Sequence, residues 1–287
     1  MPEFALTDSC FGARAIRSGR AIYDAYPEHM FGVLRKWPPG LMLDLGAAQG
    51  HFARLMRAKS PKSRVLAVEP FAGNLPYLHA MLGGDTNVRI VDMAVSDRAG
   101  ESRFSVSSTM KGATEGASNV GTLQKDGQHV VKTTTLDDIV DEPVRMIKMD
   151  IQGAEYAALK GGTRLFRDHG VDLMFVENSG EKEALKEIHR LGFLVFDSLY
   201  TIIPKKNADL SDWEIVAESK LTTGSSVLKA WPKQLIDDPD RYMKWFRRGS
   251  KKAGHFFTDF VCVHKSVWKD FAVVIGEALS ARASVPS

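Results

Sequence analysis

Two cysteines, Cys10 and Cys262, are all that this chain of 287 residues carries. They lie far apart with no paired spacing, which argues against a disulfide framework or a zinc site and fits a reducing compartment. Long apolar runs are missing as well, none reaching the roughly 18 residues of a membrane-spanning helix. The opening Met1-Pro2-Glu3-Phe4 has no basic stretch followed by an apolar core, so a cytoplasmic protein is the expectation. Charge of one sign is also scarce. A net charge of +3 is too mild to mark a nucleic-acid surface, and none is expected as a partner. There is no internal repeat. What is present is ordinary for a globular chain, 44% hydrophobic and 25% charged, long enough for one large α/β domain with additions.

The chain is organised around Leu41-Met42-Leu43-Asp44-Leu45 and the loop Gly46-Ala47-Ala48-Gln49-Gly50. The apolar run reads as a strand buried on both faces of a parallel sheet. Small residues at 46, 48 and 50 let the backbone turn sharply and approach a ligand, and a helix over 51–59 follows, presenting its N–H groups. Arg64–Val68 is a second strand. Glu69 at its tip, followed by Pro70, sits at the roughly 20-residue spacing that places an acid on ribose hydroxyls. Asp92, Met93 and Ala94, near the end of a strand expected over 88–95, lie where an adenine ring would rest. Asp44 bears on the choice of nucleotide. A carboxylate just before the turn would repel a pyrophosphate and suits a positive group, such as the sulfonium of S-adenosylmethionine. In these residues the chain resembles the class I methyltransferases.

Strands and helices alternate through the rest of the chain, which predicts a doubly wound, mainly parallel seven-stranded sheet. Residues 1–40 read as an N-terminal helical extension, with helices around 11–23 and 29–37 closed by Pro38-Pro39-Gly40. Residues 41–287 read as the catalytic domain. Within it, 75–82 is a helix, 101–108 a strand, 109–129 a mobile loop rich in Gly, Ser and Thr, and 130–135 a strand. A short helix starts at Leu136. Met146–Asp150 is the fourth core strand, followed by a helix through Phe166, a fifth strand over 171–177, a helix over 182–191 and a sixth strand over 193–197. Residues 198–257 read as an insertion capping the substrate side, with short strands near 213–218 and 226–230. A last strand over 258–264 and a closing helix over 267–279 complete the chain.

A further set of residues narrows the family. Asp44-Leu-Gly46-Ala47-Ala-Gln-Gly50, Glu69-Pro70, Thr135-Leu136-Asp137 and Lys148-Met-Asp150-Ile-Gln152-Gly153-Ala-Glu155 follow in order. Together they resemble the FkbM family of methyltransferases, whose last motif runs Lys-x-Asp-x-Glu-Gly-x-Glu. Gln152 departs from it by removing a carboxylate. The resemblance covers about residues 41–200. It implies an S-adenosylmethionine-dependent O-methyltransferase acting on a hydroxyl of a small molecule, sugar or glycolipid.

Methyl transfer to a hydroxyl needs alignment and a group that takes the proton. Asp150, Glu155 and Glu177 are the acids expected to converge at the carboxyl ends of the fourth and fifth strands, with Asp150 the first choice. The plainer reading of Asp150 is a cap for the helix that follows. Asp150, Glu177 and Asn178 also offer oxygens to a magnesium-type ion, a reading not adopted because three oxygens inferred from strand ends are thin grounds. Lys148, inside an apolar strand, requires a buried partner. Arg241, Lys244, Arg247, Arg248, Lys251 and Lys252, with Tyr242, Trp245 and Phe246 among them, allow two readings. One is a face for an anionic or sugar-bearing acceptor or a membrane surface. The other is a helix with its aromatics turned to the core. Two rival functions stand beside the leading one: a binding module that keeps the fold without turnover, and an NAD-dependent oxidoreductase.

Overall fold

The protein is described here from a computed structural model, covering residues 33–106, 121–177, 180–197, 200–204, 213–217, 235–244, 247, 259–271 and 273–274. Expected features at 1–32, 109–120, 226–230 and 245–246, together with Asn178, Arg248, Lys251 and Lys252, lie outside the described residues.

The main sheet forms around β1 (Leu41–Leu45), every residue of which is buried. Its other strands are β2 (Arg64–Val68), β3 (Val88–Val91), β8 (Val144–Met149), β9 (Val171–Glu177), β10 (Phe193–Asp197) and β13 (Asp259–His264). Their order across the sheet is β10-β13-β9-β8-β1-β2-β3. Only β13 runs antiparallel, inserted between β9 and β10. Alternate residues feed two cores, which is why these strands read as continuous apolar runs. Leu43, Leu45, Ile147 and Met149 face one side, with Leu136, Leu159 and Leu185 packed on it. Met42, Met146, Leu173 and Phe175 face the other, against Met56 and Leu78. Each such side chain contributes about 1.5–3 kcal/mol by leaving water.

The covering helices are α1 (His51–Lys59), α2 (Leu75–Leu82), α3 (Leu136–Ile139), α4 (Glu155–Lys160) and α5 (Lys182–Arg190). Three boundaries differ from the sequence reading. The single strand expected over 88–95 divides: β3 stays in the main sheet, and β4 (Ala94–Val95) pairs instead with β7 (His129–Thr134). The apolar alternation continues through this change of sheet and conceals it. The helix expected through Phe166 stops at Lys160 and a turn begins at Gly161, which lies against the main chain at Ser96, where a Cβ would come within 2.1 Å of the carbonyl oxygen. A π-helical turn, Leu165–His169, follows.

The third difference is a four-stranded sheet, β4-β7-β5-β6, built with β5 (Gly100–Val106) and β6 (Gly121–Leu123). Residues 121–123 fall in the stretch read as a loop. Gly121 looks like a turn residue in the sequence, but here it admits the Phe104 ring, which would lie 2.2 Å from a Cβ. In the expected insertion, β11 (Tyr200–Pro204) pairs with β12 (Trp213–Ala217) as a hairpin; only the second was expected. Residues 235–244 pack on the sheet edge, Ile236 donating its N–H to the Val195 carbonyl at 2.8 Å. Tyr242 and Met243 are buried there while Arg241, Lys244 and Arg247 are exposed.

The motif Thr135-Leu136-Asp137 serves the fold. Thr135 Oγ1 caps α3 by accepting from Asp138 N–H at 3.1 Å. The Asp137 carboxylate accepts from the N–H groups of Arg164 at 2.8 Å and Leu165 at 2.7 Å. Asp137→Ala is expected to lower stability by roughly 1–3 kcal/mol in urea unfolding, by leaving those two donors unpaired. A loss under about 0.3 kcal/mol would show that the cap contributes nothing.

Candidate active site

The loop after β1 is a run of left-handed turns, with φ of +77° at Gly46, +48° at Ala48 and +92° at Gly50. Gly46 is irreplaceable on geometry, since a Cβ there would sit 1.9 Å from the Asp150 carbonyl oxygen. Ala48 adopts a conformation that costs a residue with a Cβ on the order of 1 kcal/mol. It is held there by its N–H, which donates to Glu69 Oε2 at 2.8 Å. The N–H groups of Gly46 and Ala47 both donate to the Val68 carbonyl at 3.0 Å. Glu69 therefore ties the first loop to its own, where Oε1 accepts from Phe71 N–H at 2.8 Å. Burial pushes its carboxyl pKa up, against those amides and the Asn74 side chain.

Asp44 turns away from the ligand side. It is fully buried, and Oδ2 accepts from Ala53 N–H at 2.8 Å. Gly50, at the N-cap of α1, has no side chain to offer, so Asp44 supplies the capping carboxylate from the strand. Its Oδ1 accepts no hydrogen bond and lies 3.8 Å from Lys148 Nζ. Burial raises the Asp44 pKa, with Lys148 opposing. Asp44, expected from its place before the loop to suit a positively charged ligand, here faces the N-terminal end of α1 and the Lys148 ammonium.

Lys148 is 2% exposed. Its Nζ lies 3.1 Å from Asp150 Oδ2, 3.4 Å from the Gly46 carbonyl and 4.4 Å from the Phe52 ring centre. Burial works to strip its proton, but Asp150 and Asp44 outweigh it and raise the pKa above the ordinary value. Asp150 resists burial in the same way, held below the usual carboxylate range by Lys148, Glu177 and Gln152. Glu177 is pushed up to about 9 by burial, then by the Asp150 charge and a hydrogen bond to Asp150. At neutral pH Glu177 is therefore a carboxylic acid beside an ionised Asp150. Glu155 is fully buried and folds back on its own loop, accepting from Ile151 N–H at 3.2 Å and Gly153 N–H at 2.9 Å.

One cleft of about 560 Å³, partly open to solvent, lies over these loops. Of the residues expected to bind a cofactor, Gly46, Ala48, Glu69, Pro70, Met93, Ala94 and Asp150 line it. Asp44, Ala47, Gln49, Gly50 and Asp92 do not: the first four build the loop from behind and Asp92 is exposed beside Met93. Of the expected acids, Asp150 lines the cleft, Glu177 adjoins it through Gln152, and Glu155 is buried outside its lining. The sequence reading missed the wall formed by Phe71, Asn74, Phe104, Val106 and Leu123. Phe71 stacks on Phe104 at 6.3 Å, carried by the second sheet, whose return over the site leaves no periodicity to detect. Among the described residues no group of three His, Cys, Asp or Glu side chains is arranged to hold a metal ion.

The strand order with one antiparallel member, the glycine loop after β1 and the acid at the tip of β2 define a fold of the class I methyltransferase type. Within that class the chain belongs to the FkbM methyltransferase family: the model of the Methyltransferase FkbM domain matches residues 44–196. The 2-O-methyltransferase NoeI of Sinorhizobium fredii (strain NBRC 101917 / NGR234) is 27% identical over 141 residues, 44% of this chain. Those residues span 58% of that relative's length. Among solved structures, a methyltransferase FkbM from Methylobacillus flagellatus is 20% identical with a TM-score of 0.40, covering 62% of this chain and 42% of that one. A SAM-dependent O-methyltransferase from Thermotoga maritima is 11% identical with a TM-score of 0.39, covering 81% and 62%.

Two glycines separate close packing from backbone strain. Gly46→Ala places its methyl against main chain and is expected to abolish cooperative folding or lower stability by more than about 3 kcal/mol. Gly153→Ala meets nothing within 4 Å and bears only the strain of φ +95°, roughly 1–2 kcal/mol. Equal losses in thermal unfolding would refute the close approach of the two loops.

Proposed function

We propose that the chain transfers a methyl group from S-adenosylmethionine to a hydroxyl of a sugar, glycolipid or related small molecule. The observation that carries this reading is an ionised Asp150 at the lip of the cleft, in contact with the glycine loop and within reach of whatever lies on it. The residues present fit such a cofactor. Glu69 stands at the tip of β2 for ribose hydroxyls, and Met93 and Ala94 with Phe71 offer an apolar slot for a planar base. When bound, the cofactor supplies an electrophilic methyl on a sulfonium.

The chain's own part is to align and to take a proton. Asp150 would take the hydroxyl proton as the acceptor oxygen gains the methyl group, the new carbon–oxygen bond replacing the carbon–sulfur bond of a cofactor that would depart as a neutral thioether. An oxygen being methylated becomes strongly acidic, so a carboxylate held ionised by Lys148 is base enough. Hydroxyl rather than amine or carbon acceptors are favoured by similarity to a relative whose name specifies 2-O transfer. The fold without turnover is the second reading, favoured by Gln152, which already occupies Asp150 Oδ1 at 2.8 Å. With Asp44 turned inward, the preference for S-adenosylmethionine over NAD rests on the family.

Calorimetric titration should show binding of S-adenosylhomocysteine and none of NAD. Asp150→Asn should keep that binding while losing at least about a hundredfold in turnover on an acceptor found among hydroxylated sugars. The profile of kcat/KM against pH should be flat from about 5 to 8, because Asp150 is already ionised there. It should bend upward near about 9 as Glu177 gives up its proton and strengthens Asp150 as a base, and Glu177→Gln should lose the bend. An acid limb between pH 5 and 8 absent from Asp150→Asn would contradict the assignment. Binding without turnover on any acceptor would select the second reading.

A further inference from the structure

Gln152 stands where the family motif carries an acid, and it is fixed from several sides. Its backbone has φ +54°, rarely adopted by residues with a side chain. Its carbonyl accepts from Thr122 Oγ1 on β6 at 2.8 Å. Its neighbours Ile151 and Gly153 both give their N–H groups to Glu155. From this clamped position Nε2 reaches Asp150 Oδ1 at 2.8 Å and the two Glu177 oxygens at 3.0 and 2.9 Å. A side-chain amide nitrogen carries two hydrogens and no accepting lone pair, so it is a donor to both carboxyl groups.

We propose that Gln152 is a positioning residue that holds Asp150 and Glu177 together as one acid–carboxylate pair with a single negative charge, a state that a carboxylate at position 152 would upset. Every charged group facing the pair bears on this. Lys148 approaches from β8, Asp44 lies behind it on β1, Asp259 is on β13 and Glu155 heads α4. One cation among so many acids cannot support them all in ionised form. Asp150 keeps its charge next to Lys148, and Glu177 keeps its proton. The amide satisfies oxygens of both without adding charge. Asp150 thus presents a negative charge to the cleft while Glu177 adds none, which suits a ligand with a positive charge. In that purpose the inference rests on the proposed methyl transfer.

The test is a pH titration by NMR of protein labelled with carboxyl-13C glutamate, the Glu177 signal being assigned by its loss in Glu177→Gln. In the wild type that signal should titrate near about 9. Gln152→Glu adds a negative charge beside the pair and should raise the midpoint by about one unit or more, a tenfold gain in proton affinity. Gln152→Met removes the donors to the ionised form and should also raise it. A role confined to the fold would lower the melting temperature and leave the midpoint in place. Unmoved midpoints in both variants, or a wild-type Glu177 in the ordinary carboxylate range, would overturn the inference. Should neither variant fold, the wild-type Gln152 amide resonances decide: they shift with the Glu177 midpoint if the amide bridges the pair and stay fixed if it does not. The expected titration without any binding of S-adenosylhomocysteine would sink the proposed function and leave this inference intact.

Discussion

A single ammonium group, Lys148 Nζ, holds the ligand edge of the sheet together. Removing a charge from water costs several kcal/mol, which only close partners offset. Lys148 has them on adjacent strands: Asp44 on β1 at 3.8 Å and Asp150 just past β8 at 3.1 Å, with the Gly46 carbonyl at 3.4 Å. Those contacts bind the ends of two central strands and their loops to one point. The loops meet so closely there that a side chain at 46 would strike the main chain at 150. The cleft floor follows from this arrangement, because Asp150 is delivered to the lip of the cleft already ionised.

Most of the motif acids are engaged in holding loops and helix ends. Asp44 caps α1 from a distance, Asp137 caps the turn at 164–165, and Glu155 holds its own loop by two amides. Glu69 does both jobs, tying the loops of β1 and β2 with its oxygens while lining the cleft. Asp150 and Glu177 differ because they face each other across an amide, where burial splits their titrations and leaves one charged and one neutral. The proposed proton transfer draws on that difference.

Much of the fold was legible in the sequence for a physical reason. Strands buried on both faces leave unbroken apolar runs, and β1, β2, β9 and β10 fall at the residues so marked. The glycine loop and the acid at 69 were legible because their backbone demands admit few residue types. What escaped was of two kinds. Transfers between sheets, as at Asp92 and Met93, preserve the alternation of side chains and leave no mark. Close approaches disguise their glycines as turn residues, as at Gly121 against Phe104, so the second sheet and its cleft wall went unseen. Asp44 shows a third difficulty. Its place in the motif was plain, but its carboxylate is turned to the Ala53 N–H at the start of α1 and to Lys148, whose need for a partner was recognised without saying which acid would answer it.

The most direct test is the unfolding free energy of Lys148→Met against the wild type at about pH 5 and about pH 8. In the wild type the raised Lys148 pKa gives stability that is complete below its ordinary value and lost only as pH climbs through the folded one. In the variant, Asp44 and Asp150 lose their cation and their folded pKa values rise. Their contribution then survives in acid and falls away as pH increases. The penalty should therefore be about 3–5 kcal/mol near pH 8 and clearly smaller near pH 5. A penalty under about 1 kcal/mol, or one equal at both pH values, would contradict the claim that this buried charge organises the site.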